Sequence, residues 1–125
     1  YVDAWDALPA SVTRVIVLRD TFRQVTSTPD CVSRAQRRRR NAGVVCSLPR
    51  AWSLPSDAAV VAAGRPHRPG LTVDVIDLTP FMCGARRCFP VIGGVLVIKD
   101  IDHLSRAFST TLGPYLLRAF DRLPP

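Results

Sequence analysis

Two hydrophobic periods share this chain. Val15-Ile16-Val17-Leu18 is a short continuous apolar run between Arg14 and Arg19, a pattern that suits a parallel strand covered on both faces. Leu71 to Leu78 predicts a second strand. Phe89 to Val91 and Val95 to Ile98, separated by Gly93-Gly94, predict a small hairpin whose glycines allow positive φ. Between these lie helical stretches. Val2 to Leu8 stops near Pro9, and Asp30 is placed to cap a helix carrying Arg34 and Arg37 to Arg40 on an exposed face. Ser47 to Pro55 reads as loop. Ser56-Asp57 opens a short helix over Ala58 to Ala63, which Gly64, Pro66, Pro69 and Gly70 end. Asp102 is expected to cap a last helix from His103 to Leu123. There Leu104, Phe108, Leu112, Leu116 and Phe120 recur every four residues, with Tyr115 and Ala119 alongside, as a core stripe.

Strands alternating with helices indicate an α/β fold with a parallel sheet. A chain of 125 residues is long enough for one domain, taken here as 1–125. Two or three strands nonetheless make a poor doubly wound sheet, so the chain is expected to be the C-terminal portion of a larger domain. No apolar run approaches the roughly 20 residues that a membrane-spanning helix needs.

The net charge is +7, carried almost wholly by arginine, with Lys99 the single lysine and no glutamate. Coding bias explains that skew better than function does. Nucleic acid, anionic lipid and acidic polymers all attract such a chain. No aromatic residues interleave Arg37 to Arg40, which argues against nucleic-acid binding. Four cysteines fall as two close pairs, Cys31 with Cys46 and Cys83 with Cys88. Their spacing, with two histidines placed elsewhere, does not suit a structural zinc site, and no metal or cofactor is expected. Of the three possible connectivities, nearest-neighbour pairing closes the shortest loops. An even count in a small domain favours an oxidising compartment.

Candidate chemistry concentrates in Ile98-Lys99-Asp100-Ile101-Asp102-His103-Leu104. A strand ends, a carboxylate follows, and a histidine stands three residues later. Such a turn can set the Asp100 carboxylate beside His103 Nδ1, fix the tautomer and leave Nε2 free to take a proton. That is the orienter and base of a serine-type acyl-transfer site, and it needs a nucleophile from elsewhere. Asp-x-x-His alone is better read as a helix start with a partly exposed first-turn histidine. The context decides.

Four blocks supply that context: Arg14 to Thr21 with Thr28-Pro29-Asp30-Cys31; Val75 to Cys83; Cys88 to Val97; and Asp100 to Ser105. In this order they resemble the SGNH (GDSL-like) domains fused to membrane-bound acyltransferase-3 proteins, which O-acylate cell-envelope sugars. The resemblance implies a flavodoxin-like α/β/α sandwich outside the cytoplasmic membrane, with a serine nucleophile, His103 as general base and Asp100 as its partner. It implies as partners the N-terminal remainder of the domain, a transmembrane acyltransferase domain, and an envelope glycan or glycolipid acceptor. The family's Gly-Asp-Ser block has no counterpart in the chain, nor do its oxyanion-hole Gly and Asn. The chain alone is therefore expected to be inactive. A non-catalytic extracytoplasmic binding module of the same fold is the alternative. His67 is expected on the solvated surface, Trp52 in the core, and Asp20 and Asp77 as loop caps at strand ends, with the Asp20-Thr21 loop lining a pocket.

Overall fold

A computed structural model of the protein describes residues 1–124. Its central feature is a parallel pair of strands, β1 (Arg14–Leu18) and β3 (Thr72–Ile76), registered from Arg14 opposite Thr72 to Leu18 opposite Ile76. Ion pairs bracket the two strands: Arg14 with Asp74 at 3.2 Å, and Arg19 with Asp77 at 3.0 Å just beyond their ends. The remaining elements, in chain order, are α1 (Val2–Asp6), α2 (Thr28–Arg37), α3 (Ala42–Val45), β2 (Leu48–Pro49), α4 (Arg50–Ser53), α5 (Ala58–Ala63), a single 3-10 turn (Thr79–Phe81), β4 (Arg87–Cys88), β5 (Val91–Ile92), β6 (Val95–Leu96) and α6 (Arg106–Asp121). β2 pairs with β4, and β5 with β6, both antiparallel. The last pair is the expected Gly-Gly hairpin, with Gly93 at φ 57° and Gly94 at φ 81°. Both central residues at positive φ is the turn whose twist matches its flanking strands.

The mixed α/β class with a parallel sheet is as expected. α5 packs on both strands of the parallel pair and α6 on β3. The main core joins Phe22, Ile76, Leu78, Met82, Val97, Ile98, Phe108 and Leu112. One expectation fails at β1. It is not covered on both faces, for Ile16 is partly exposed and Leu18 is 53% exposed.

A smaller core holds Val32, Ala35, Ala42 and Cys46, packed with Cys31 and Val91. The disulfide Cys31–Cys46 ties α2 to the end of α3, and Cys83–Cys88 closes the loop before β5, as the pairing by proximity anticipates. The first closes a 15-residue span, worth about 3 kcal/mol by the loop-entropy argument.

Helix boundaries differ from expectation. α2 starts after Ser27, whose side chain makes no cap hydrogen bond, and not after Asp30; Pro29 stands in its first turn, and Asp30 lies inside the helix near its positive dipole end. It ends at Arg37, so Arg37 to Arg40 turn a corner and do not form one helical face. Arg39 N–H donates to Gln36 O at 2.9 Å and Arg40 N–H to Ala35 O at 2.9 Å, the paired bonds of a Schellman stop. Arg39 sits at φ 51° where glycine is usual, at a cost of about 1 kcal/mol. α5 has the expected bounds because Asp57 Oδ1 accepts from both Ala59 and Val60 N–H. α6 starts at Arg106 and not His103: Ser105 Oγ caps it by accepting from Phe108 N–H at 3.1 Å. Pro114 is carried inside it.

Side-chain placement brings further corrections. Phe108 and Leu112 are core, whereas Tyr115 and Phe120 are about two-fifths exposed. Trp52, expected in the core, is 52% exposed, and Ser47 to Pro55 contains β2 and α4 where loop was expected. His67, expected at the surface, has only 7% of its side chain exposed. Its ring lies 5.6 Å from Trp5, and Arg68 beside it reaches Asp6, Pro9 and Val12, so this loop clamps α1.

Two stability outcomes are expected. Replacing Cys31 and Cys46 together by serine lowers the unfolding free energy by about 3 kcal/mol in denaturant titration. Gly43 faces the carbonyl of Val91, and a Cβ there would overlap it. Gly43→Ala therefore costs about 1–3 kcal/mol, whereas Gly84→Ala, with ordinary contacts, stays within about 0.5 kcal/mol in the same assay.

Candidate active site

Val97 and Ile98 are fully buried, and the chain leaves the core immediately after them. It returns five residues later: Ile98 bridges Leu104, Lys99 N–H donates to His103 O at 2.9 Å, and Ser105 N–H to Val97 O at 2.7 Å. The turn so closed, Lys99 to His103, is also tied sideways to the loop after β1. Thr21 Oγ1 donates to Asp102 O at 2.9 Å, and Gln24 N–H to Ile101 O at 2.7 Å. A surface turn fastened at its base and along one flank has little freedom left.

Within it, Asp100 Oδ1 accepts from Asp102 N–H at 3.2 Å and His103 N–H at 3.0 Å. His103 Nδ1 lies 3.1 Å from both Asp100 oxygens. The sequence-predicted pair therefore meets. Ionised Asp100 favours the tautomer with hydrogen on Nδ1, because a carboxylate only accepts. The far nitrogen, Nε2, makes no hydrogen bond among the described residues, and the side chain is 71% exposed. The backbone N–H of His103, more than its ring, holds the Asp100 carboxyl down at about 2, against an ordinary 3.8.

A second carboxylate was missed. Asp102 Oδ1 also lies 3.1 Å from His103 Nδ1. The sequence signal was the Asp-x-Asp-His spelling, which the helix-cap reading of Asp102 used up. Asp100, Asp102 and His103 each offer a ligand atom within 4.8 Å of the others. Those atoms are already engaged with one another, so hydrogen bonding accounts for the cluster.

At the C-terminal end of β1, a cleft of about 250 Å³ is lined by Arg19, Asp20, Thr21, Arg23 and Asp57, among others. The Asp20-Thr21 loop does line a pocket, as expected, and through Thr21 that pocket wall is bonded to the aspartate–histidine turn. His103 itself stands outside the cleft. Asp57 and Asp77 are structural. Slight burial raises the Asp57 carboxyl, but N–H donors from Asp20, Val60 and Ala59 and the nearby Arg19 outweigh it and leave it lowered. Burial likewise raises Asp77, while bonds from the Thr79 hydroxyl and N–H and from Arg19 bring it down. Ser105, the serine nearest to His103 in sequence, is committed to Leu96 O and the α6 cap.

The pH behaviour of Asp100 has a definite sign. Its carboxyl is depressed in the fold, so its stabilising contribution is present above the ordinary carboxylate range and is lost as pH falls through about 2. Carboxyl-carbon NMR titration should give Asp100 a midpoint near 2. His103→Ala retains the backbone N–H, so the midpoint should stay below 3.8 in that variant. A return to 3.8 would assign the shift to the ring instead.

Comparison with curated proteins and with solved structures finds no match. The two disulfides fit an oxidising compartment, and among the described residues no helix is long and apolar enough to cross a membrane. A family model, the SGNH domain described as fused to AT3 domains, does match, over residues 1–118. Its span runs from the first helix into the last and takes in the whole aspartate–histidine turn, so the chain belongs to that SGNH domain family.

Proposed function

We propose that this chain supplies the base half of a serine acyl-transfer site, in an extracytoplasmic SGNH-type O-acyltransferase or esterase domain acting on cell-envelope carbohydrate. Family membership supports the general acyltransferase or esterase class. The observation that carries the residue assignment is the geometry at His103: Nδ1 held by Asp100, Nε2 without a partner and open to solvent.

In this reading His103 Nε2 takes the proton of a serine hydroxyl as that oxygen attacks an acyl carbonyl. Asp100 stabilises the resulting imidazolium without accepting the proton. The imidazolium then protonates the departing group, leaving an acyl-serine. A sugar hydroxyl, or water in an esterase, gives its proton to Nε2 as its oxygen attacks the acyl carbon, and the ester bond to serine breaks as Nε2 returns that proton to the serine oxygen. The serine comes from outside this chain, because no local serine bonds Nε2 among the described residues and none follows Gly-Asp. The uncovered β1 residues Ile16 and Leu18 support a domain completed by further elements into a flavodoxin-like sandwich, since parallel strands are ordinarily buried on both faces. A transmembrane acyltransferase domain is the natural companion, given the fusion described for the family.

Joined to a segment bearing the family's Gly-Asp-Ser block, the chain should support fluorophosphonate labelling of that serine, and His103→Ala should abolish it. Asp100→Asn should lower acyl transfer by roughly 10²–10⁴-fold. The purified 125-residue chain alone should show no esterase turnover. Undiminished labelling in His103→Ala would refute the base assignment, whereas absence of labelling in the parent would favour a non-catalytic binding module.

A further inference from the structure

We infer that the corner formed by Arg37 to Arg40 and α3 is a docking surface for an anionic lipid bilayer. Between residues 31 and 56 the chain carries six arginines and no acidic residue. Arg34, Arg37, Arg38, Arg39 and Arg40 form no ion pair or side-chain hydrogen bond among the described residues, whereas Arg14 and Arg19 are each matched to an aspartate. Five unneutralised guanidinium groups on one exposed corner make a concentrated positive field.

Three further observations choose the partner. Val44 is 61% exposed and Val45 is 41% exposed, on the short helix that follows the arginines directly. Cations beside exposed aliphatic side chains suit an interface with a charged surface and an apolar interior, which a soluble polyanion lacks. Arg34, Arg38 and Arg40 surround a depression of about 90 Å³ that Ala35 and Val45 also line. A phosphodiester headgroup matches that pairing of guanidinium rim and apolar lining. Finally, Arg39 holds a left-handed conformation at a helix stop where glycine is favoured, and the Cys31–Cys46 disulfide braces the corner. The strained residue keeps a cationic side chain where glycine would be easier.

The test is sedimentation of the 125-residue chain with vesicles of phosphatidylcholine, alone or equimolar with phosphatidylglycerol. Binding is expected only to the mixed vesicles, weakening as salt rises. Each cation at an anionic surface strengthens binding about fivefold. R37Q/R38Q/R39Q/R40Q should therefore lose on the order of a hundredfold or more in affinity. R65Q/R86Q/R106Q/R122Q, which removes the same charge from other exposed positions, should lose less than about tenfold. Arg39→Gly should raise the melting temperature yet weaken vesicle binding about fivefold. V44S/V45S should weaken binding to mixed vesicles and leave binding to soluble polyphosphate unchanged. Equal losses from the two quadruple variants, or binding to neutral vesicles as strong as to anionic ones, would overturn the inference. So would a V44S/V45S variant that binds vesicles as the parent does, which would make the corner a site for soluble polyanions.

Discussion

The hydrogen bond from the His103 N–H to the Asp100 carboxylate is the contact on which the turn depends. It fixes the path of the chain across residues 100 to 103 and brings the imidazole over the same carboxylate that the backbone has captured. One group thus acts as turn cap and as ring orienter. The arrangement is stable at the surface because the donors are backbone groups already pinned by Ile98 and Leu104. A carboxylate held only by another flexible side chain would spend much of its time elsewhere.

Bonds from Thr21 and Gln24 carry that local order to the end of β1. The aspartate–histidine turn and the Asp20-Thr21 wall of the cleft therefore form one unit, although about 80 residues lie between them in sequence. Phe22, fully buried in the main core, sits between the two anchoring residues. Loops after parallel strands are where open α/β sheets build binding crevices, and here the crevice wall is fastened to the chain segment that carries His103.

Local chemistry was readable in the sequence wherever one residue decided the outcome. Asp57 set the start of α5, Gly93-Gly94 made the hairpin, and the Asp-x-x-His spacing brought Asp100 to His103. The pairing of cysteines followed from short spans. Misreadings arose where two candidates competed. α2 begins at Thr28, ahead of Asp30 and with no side-chain cap, while Ser105 won over Asp102 as the cap of α6: Asp102 stays by His103 and Ser105 takes the Phe108 N–H. Tertiary contacts were the other blind spot. Nothing near His67 in sequence shows that Trp5 covers it, and no periodicity in Val15 to Leu18 says which neighbours are present.

Charge is distributed with the same division of labour. The described aspartates near the strand ends are bonded to backbone donors or arginines, and two more converge on His103 Nδ1. A single N–H cannot bond fully to both. Asp100 is tied by two backbone donors; in the proposed mechanism it orients the ring, and Asp102 adds a countercharge when the ring becomes an imidazolium. At an open surface that countercharge acts through water and counts for little. Covering the turn would change the balance: reducing the effective dielectric constant from about 80 to about 20 strengthens each such attraction about fourfold. In the proposed mechanism, an element covering His103 thus does two things together, bringing a hydroxyl to Nε2 and making the carboxylates behind Nδ1 effective.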